Sequence, residues 1–154
     1  MKLMTGASRQ DLDLETSQKK LILYVEDEPN NRLVLDYRIG KKYNLLYAST
    51  DLEACRILSM RGQELFVVLM DIELKDSALN GIELTRLMRG LLDRSLVPEH
   101  ARSVPLLQIP VFLVTSYGSR YEDELAECGA DGVIAKPVEF AALEESLMNC
   151  ALKK

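Results

Sequence analysis

Apolar residues gather in five short runs along the chain, at 21–25, 44–48, 65–70, 110–115 and 132–135, with amphipathic stretches between them. Runs of four to six apolar residues bounded by polar ones predict strands. Because the runs are nearly continuous rather than alternating, both faces of the sheet they form should be covered. Between the runs the spacing turns helical. Leu84, Leu87, Met88 and Leu91 fall on one helix face, as do Phe140, Leu143, Leu147 and Cys150. Strands alternating with helices predict a doubly wound α/β sandwich with a parallel sheet.

Two stretches stand outside this rhythm. Residues 1–18 are polar without a sustained period and are expected to be a flexible leader, with Leu12 and Leu14 allowing at most a short helical turn. Residues 93–109, which hold Pro98, Pro105 and the single histidine, His100, are long for a connection in a compact domain. They predict an insertion or an extended surface loop before the fourth strand. His100 has no partner in its own stretch and is expected to be an exposed loop residue.

Composition narrows the functional classes. With 154 residues, 47% of them apolar, the chain suits one domain. Its net charge of −5 comes from intermixed acids and bases, which argues against direct nucleic-acid binding. The longest apolar run is far too short to span a bilayer and the N-terminus lacks a signal peptide, so a cytoplasmic protein is expected. Cys55, Cys128 and Cys150 are odd in number and widely spaced, which fits reduced packing residues better than a disulfide frame.

In open parallel sheets the ligand site lies beyond the carboxyl ends of the strands. Here the first strand runs into Glu26-Asp27-Glu28, the third ends at Asp71, the fourth in Thr115-Ser116 and the fifth in Lys136-Pro137. Three carboxylates brought together at one sheet edge repel each other, which raises pKa values or draws in a cation. Mg2+ is the hard divalent ion that such oxygens hold, with Asp27 and Asp71 direct and Glu26 through water. Asp71 could then attack a phosphorylated donor, with Lys136 sharing the charge and Thr115 donating to a phosphoryl oxygen. Read singly, each feature has a plain alternative: an acidic cap for the helix that starts at Pro29, a turn aspartate, a hydroxyl cap, a surface lysine.

Taken together these pieces resemble the receiver domain of two-component response regulators. The resemblance runs from about Lys19 to Leu152 and rests on Val25-Glu26-Asp27-Glu28-Pro29-Asn30, Leu69-Met70-Asp71-Ile72, Gly81-Ile82-Glu83-Leu84, Val114-Thr115-Ser116, and Gly129-Ala130-Asp131-Gly132 leading to Lys136-Pro137. It implies a flavodoxin-like receiver fold over 19–154, with a five-stranded parallel sheet of order 2-1-3-4-5 and helices on both faces. It implies Asp71 as phosphoacceptor, Glu26 and Asp27 as the acidic pair, Thr115 as switch hydroxyl and Lys136 as phosphate-binding lysine. Mg2+ would be the cofactor, held by Glu26, Asp27, Asp71 and the backbone carbonyl of Glu73. A cis Lys136-Pro137 bond also follows.

The expected activity is stoichiometric phosphoryl acceptance from a sensor histidine kinase or a histidine phosphotransfer protein, with at most slow self-dephosphorylation, because bulky Tyr117 follows Thr115 by two residues. Output would pass to a separate protein effector, from a monomer or weak dimer. The chain stops just past Leu152, so a stand-alone receiver is expected. Three departures from the family pattern stand out: Val133 where a switch aromatic is common, a longer 71–81 loop with Lys75 where proline is frequent, and the 93–109 stretch. Val133 shifts the expected output to movement of the loop after Thr115. The competing readings are a phosphorylation-independent pseudo-receiver adaptor and an aspartate-nucleophile phosphohydrolase. The latter usually carries its nucleophile on the first strand. A flavodoxin-type electron carrier would need a phosphate loop after the first strand, which this sequence lacks.

Overall fold

The computed structural model describes residues 19–116 and 121–153. The expected leader at 1–18, with Leu12 and Leu14, and Tyr117 with its proposed effect on dephosphorylation lie outside the described residues. Five strands, β1 (Leu21–Val25), β2 (Asn44–Ala48), β3 (Val67–Asp71), β4 (Val111–Thr115) and β5 (Gly132–Ala135), pair in parallel in the order β2-β1-β3-β4-β5. Between and after them run α1 (Pro29–Ile39), α2 (Asp51–Arg61), α3 (Gly81–Arg89), α4 (Glu122–Glu127) and α5 (Phe140–Leu152). This is the doubly wound fold that the alternation of runs predicts.

Each strand sends alternate side chains into two separate cores, because successive residues point to opposite faces of a sheet. Leu23, Val25, Val68, Met70, Val111 and Leu113 meet residues of α2 and α3 on one face, where Cys55 and Cys128 are also buried. Ile22, Tyr24, Val67, Leu69 and Val114 meet α1 and α5 on the other, through Leu35, Ile39, Leu143, Leu147 and Cys150. Every residue of central β3 is buried. Three buried, unbridged cysteines are the packing residues that their spacing suggests.

Some boundaries differ from the expected ones. The third strand begins at Val67 because Gly62–Glu64 form a 3-10 turn closed by the Leu65 N–H, while its end at Asp71, which pairs with Val114, is the expected one. Helix α3 stops before Leu91, which is 56% exposed although the helical spacing includes it. Gly90 adopts a left-handed conformation (φ 74°) and its N–H closes on the Arg86 and Leu87 carbonyls, so the chain leaves the helix one residue earlier.

The 93–109 stretch is a packed connection between α3 and β4. It contains two 3-10 turns, Arg94–Leu96 and Glu99–Ala101, and it buries Ala101 and Leu107 in the core on the α2/α3 face. Arg89, at the end of α3, fixes its far end: Nη1 donates to the Leu107 carbonyl and Nη2 to that of Ile109, both at 2.7 Å. The same guanidinium reaches the Gly129 carbonyl and the Asp131 carboxylate, each at 3.0 Å. His100 corrects the expectation of an exposed residue. It is part-buried and its Nε2 lies 2.9 Å from Asp51 Oδ2, a partner 49 residues earlier that no local pattern could announce.

Candidate phosphoryl and metal site

The carboxyl ends of β1, β3, β4 and β5 open into one cleft of about 420 Å³. Parallel pairing carries Val25 to Met70 and Asp71 to Val114, so the residues that follow β1 and end β3 and β4 come out side by side. Asp27, Asp71, Glu73, Thr115, Ser116 and Lys136 all line the cleft. The bond between Lys136 and Pro137 is cis.

Glu26 lies beneath the cleft and is fully buried. Its Oε1 accepts from Lys136 Nζ at 2.9 Å, from the Tyr24 hydroxyl at 3.1 Å and from Asn31 Nδ2 at 3.2 Å, while Oε2 accepts from the Glu28 N–H at 3.1 Å. Lys136 Nζ also donates to Asp71 Oδ2 at 3.1 Å, so one ammonium bridges two carboxylates. Asp27 Oδ2 accepts the Lys75 N–H at 2.8 Å, and Lys75 Nζ pairs with Glu28 at 2.9 Å. The tripeptide Glu26-Asp27-Glu28 is therefore more than a helix cap: Glu28 is the N-cap of α1 but its side chain makes no capping bond. The N-cap of α4 is Tyr121.

The electrostatics separate the two deepest acids. Burial alone would raise Glu26, but the Lys136 hydrogen bond, then that from Glu28, and the Lys136 charge hold it below the usual range. Asp71, 7% exposed, is pushed up to about 7 by burial and then by the Glu26 charge, against the opposing pull of Lys136. Burial works to lower Lys136, yet its bonds and charge contacts with Glu26 and Asp71 raise it overall. The surroundings thus favour the charged form of Glu26 beside the lysine and disfavour that of Asp71.

One oxygen each from Glu26, Asp27 and Asp71 lie within 4.8 Å of one another. The donor set is oxygen only, which suits a hard divalent cation and gives nothing to a soft one. With both Glu26 oxygens already accepting bonds, Asp27 and Asp71 are the two better placed for direct contact. Residue spacing missed Tyr24 and Asn31, the further donors to Glu26. Tyr24 had a signal, since a strand residue two before Glu26 shares its side of the sheet. Also missed was the contact at 2.9 Å between the Tyr121 hydroxyl and Glu73, which joins the β3–α3 loop to the start of α4.

A parallel sheet of this order, with an acidic cluster, a hydroxyl and a lysine at its carboxyl edge, defines a receiver of two-component signalling. Residues 22–148 match the response regulator receiver domain, and the chain belongs to that family. It is 26% identical to a probable histidine kinase 1 of Oryza sativa subsp. indica over 87% of this chain, which spans only 16% of that relative's length. Among solved structures, the signal receiver domain of a signal transduction histidine kinase from Syntrophus aciditrophicus is 26% identical, with a TM-score of 0.67 over 85% of this chain and 89% of that one. The receiver domain of a sensor histidine kinase from Pseudomonas aeruginosa PAO1, solved with magnesium coordinated in its active-site cleft, shares the fold. It is 23% identical, with a TM-score of 0.66 over 85% of this chain and 96% of that one. The acidic cluster of Glu26, Asp27 and Asp71 is typical of the family's phosphoacceptor site. Among the described residues no helix is long and apolar enough to cross a membrane.

Proposed function

We propose that the chain is a phosphoryl-accepting receiver in which Asp71 takes the phosphoryl group from a phosphohistidine of a sensor histidine kinase or a phosphotransfer protein. The observation that carries this reading is the Lys136 ammonium shared between Glu26 Oε1 (2.9 Å) and Asp71 Oδ2 (3.1 Å) at the floor of an open cleft. A lysine anchored by a second, fully buried acid stays in place when the charge on Asp71 changes. A carboxylate oxygen of Asp71 attacks phosphorus, the P–N bond breaks, and its electron pair remains on the donor imidazole, which takes up a proton. Lys136 stabilises charge on the transferring oxygens, and the Thr115 hydroxyl donates to one of them.

Asp27 and Asp71 would hold Mg2+ directly, Glu26 through water and Glu73 through its backbone carbonyl. Bound there, the ion supplies positive charge that offsets the crowded carboxylates and the incoming phosphoryl oxygens. The magnesium in the Pseudomonas aeruginosa receiver supports the choice of ion. The product is an acyl phosphate that shifts an equilibrium between conformations, and the output is a change in protein contacts with an effector.

Incubation of the protein with Mg2+ and acetyl phosphate should add one phosphoryl group by mass, with none gained by Asp71→Asn and none without Mg2+. Repeated turnover of the donor without a labelled protein would instead favour the phosphohydrolase reading, and a wild type that never gains the mass would favour the pseudo-receiver.

A further inference from the structure

We propose that His100 is a positioning residue for the cleft: through Asp51 it sets the β3–α3 loop, residues 72–80, so that the 93–109 insertion is mechanically connected to the acidic cluster. The part that concerns the cluster's ion rests on the function proposed above, whereas the loop contact does not.

The connection is a continuous series of hydrogen bonds. His100 comes from the Glu99–Ala101 turn, which is seated by Ala101 in the core and by a 2.9 Å contact between Ser103 and Ser59 of α2. Its Nε2 lies 2.9 Å from Oδ2 of Asp51, the first residue of α2, and a carboxylate only accepts, so the ring nitrogen donates. Asp51 is 2% exposed. The same Oδ2 accepts the N–H groups of Ala78 (3.2 Å) and Leu79 (3.1 Å), and the Asp51 N–H donates to Ser77 Oγ at 2.9 Å. Ser77 Oγ in turn donates to the Lys75 carbonyl at 3.2 Å, and the Lys75 N–H ends the series on Asp27 Oδ2.

A helix N-terminus explains an aspartate at position 51 but not a third donor arriving from an insertion. The loop it holds has no helix or strand of its own, and Asp76 within it takes a left-handed conformation (φ 56°). Its shape therefore depends on outside contacts, and Asp51 supplies three of them. A side chain that fixes Asp51 fixes the segment that reaches both Asp27 and, at residue 73, the mouth of the cleft. Whatever grips or displaces the insertion then acts on the same segment.

The full chain carrying His100→Ala, His100→Gln or Leu147→Ala tests this. Glutamine keeps a donor near the position of Nε2, and Leu147→Ala loosens the opposite core as a control for stability loss alone. In metal-free protein, His100→Ala should speed amide exchange at Ala78 and Leu79 by about tenfold relative to β1 and β3 amides. It should also weaken Mg2+ binding, followed by calorimetry, by roughly three- to thirtyfold. His100→Gln should restore most of both, and Leu147→Ala should leave Mg2+ affinity unchanged. Uniformly faster exchange, no rescue by glutamine, or an equal loss of Mg2+ affinity in Leu147→Ala would overturn the proposal. Wild type that binds no Mg2+ would instead sink the function proposed above, and the exchange comparison would still decide whether His100 positions the loop.

Discussion

Asp71 and Glu26 are the same kind of acid a few ångströms apart, and their surroundings drive them in opposite directions. Glu26 is held charged by four donors, whereas Asp71 is pushed up to about 7 by burial and by the Glu26 charge. Without metal the folded chain thus holds the Asp71 proton more tightly than the unfolded chain, whose aspartate titrates near 4. That contribution to stability is complete below about pH 4 and is lost as pH rises through about 7. Asp71→Asn has no such loss. In urea titrations with EDTA, its stability advantage over wild type should grow between pH 4 and 7 and level off above, reaching on the order of 4 kcal/mol. Mg2+ should raise the melting temperature of wild type at neutral pH and leave Asp71→Asn nearly unmoved, because the variant lacks one of the clustered carboxylates that would hold the ion.

At the level of elements, the site depends on where chain segments start and stop. Helix α3 begins with a capping box, Asn80 accepting the Glu83 N–H at 2.8 Å and Glu83 accepting that of Asn80 at 2.9 Å. Its first residue, Gly81, lies so close to the Asp71 carbonyl and the Met70 side chain that a Cβ there would overlap both. Gly81→Ala should therefore cost about 3 kcal/mol in denaturant unfolding and slow phosphorylation, since the backbone of Asp71 has to shift. The strands were legible because central strands covered on both faces must be apolar throughout. The end of β3 at Asp71 was legible too, although aspartate is a poor strand former, and pairing with Val114 holds it in the sheet. The end of α3 was misjudged because Leu91 continues the helical spacing while Gly90 turns the chain away.

For the molecule as a whole, contacts between distant segments decide what the sequence hides. Glu26, Asp27, Asp71, Thr115 and Lys136 could be gathered from the sequence because a parallel sheet delivers every strand end to one edge. His100 with Asp51, and Arg89 with the 107–109 carbonyls, Gly129 and Asp131, could not, since their partners are set by how an insertion folds back. Arg89→Ala leaves several part-buried acceptors without their donor. It should cost about 2–4 kcal/mol, with Arg89→Lys recovering little because an ammonium cannot span the fork, and amide exchange near Val111 should report the damage. The two cores also divide the cysteines, with Cys55 and Cys128 on one side of the sheet and Cys150 on the other. Burial and the nearby Asp51 charge push the Cys55 thiol up to about 12, so in the native state it resists alkylation. The α2/α3 layer consequently carries its own timer: fully buried Cys55, followed with a thiol reagent and read by peptide mass, would date the opening of that half of the sheet.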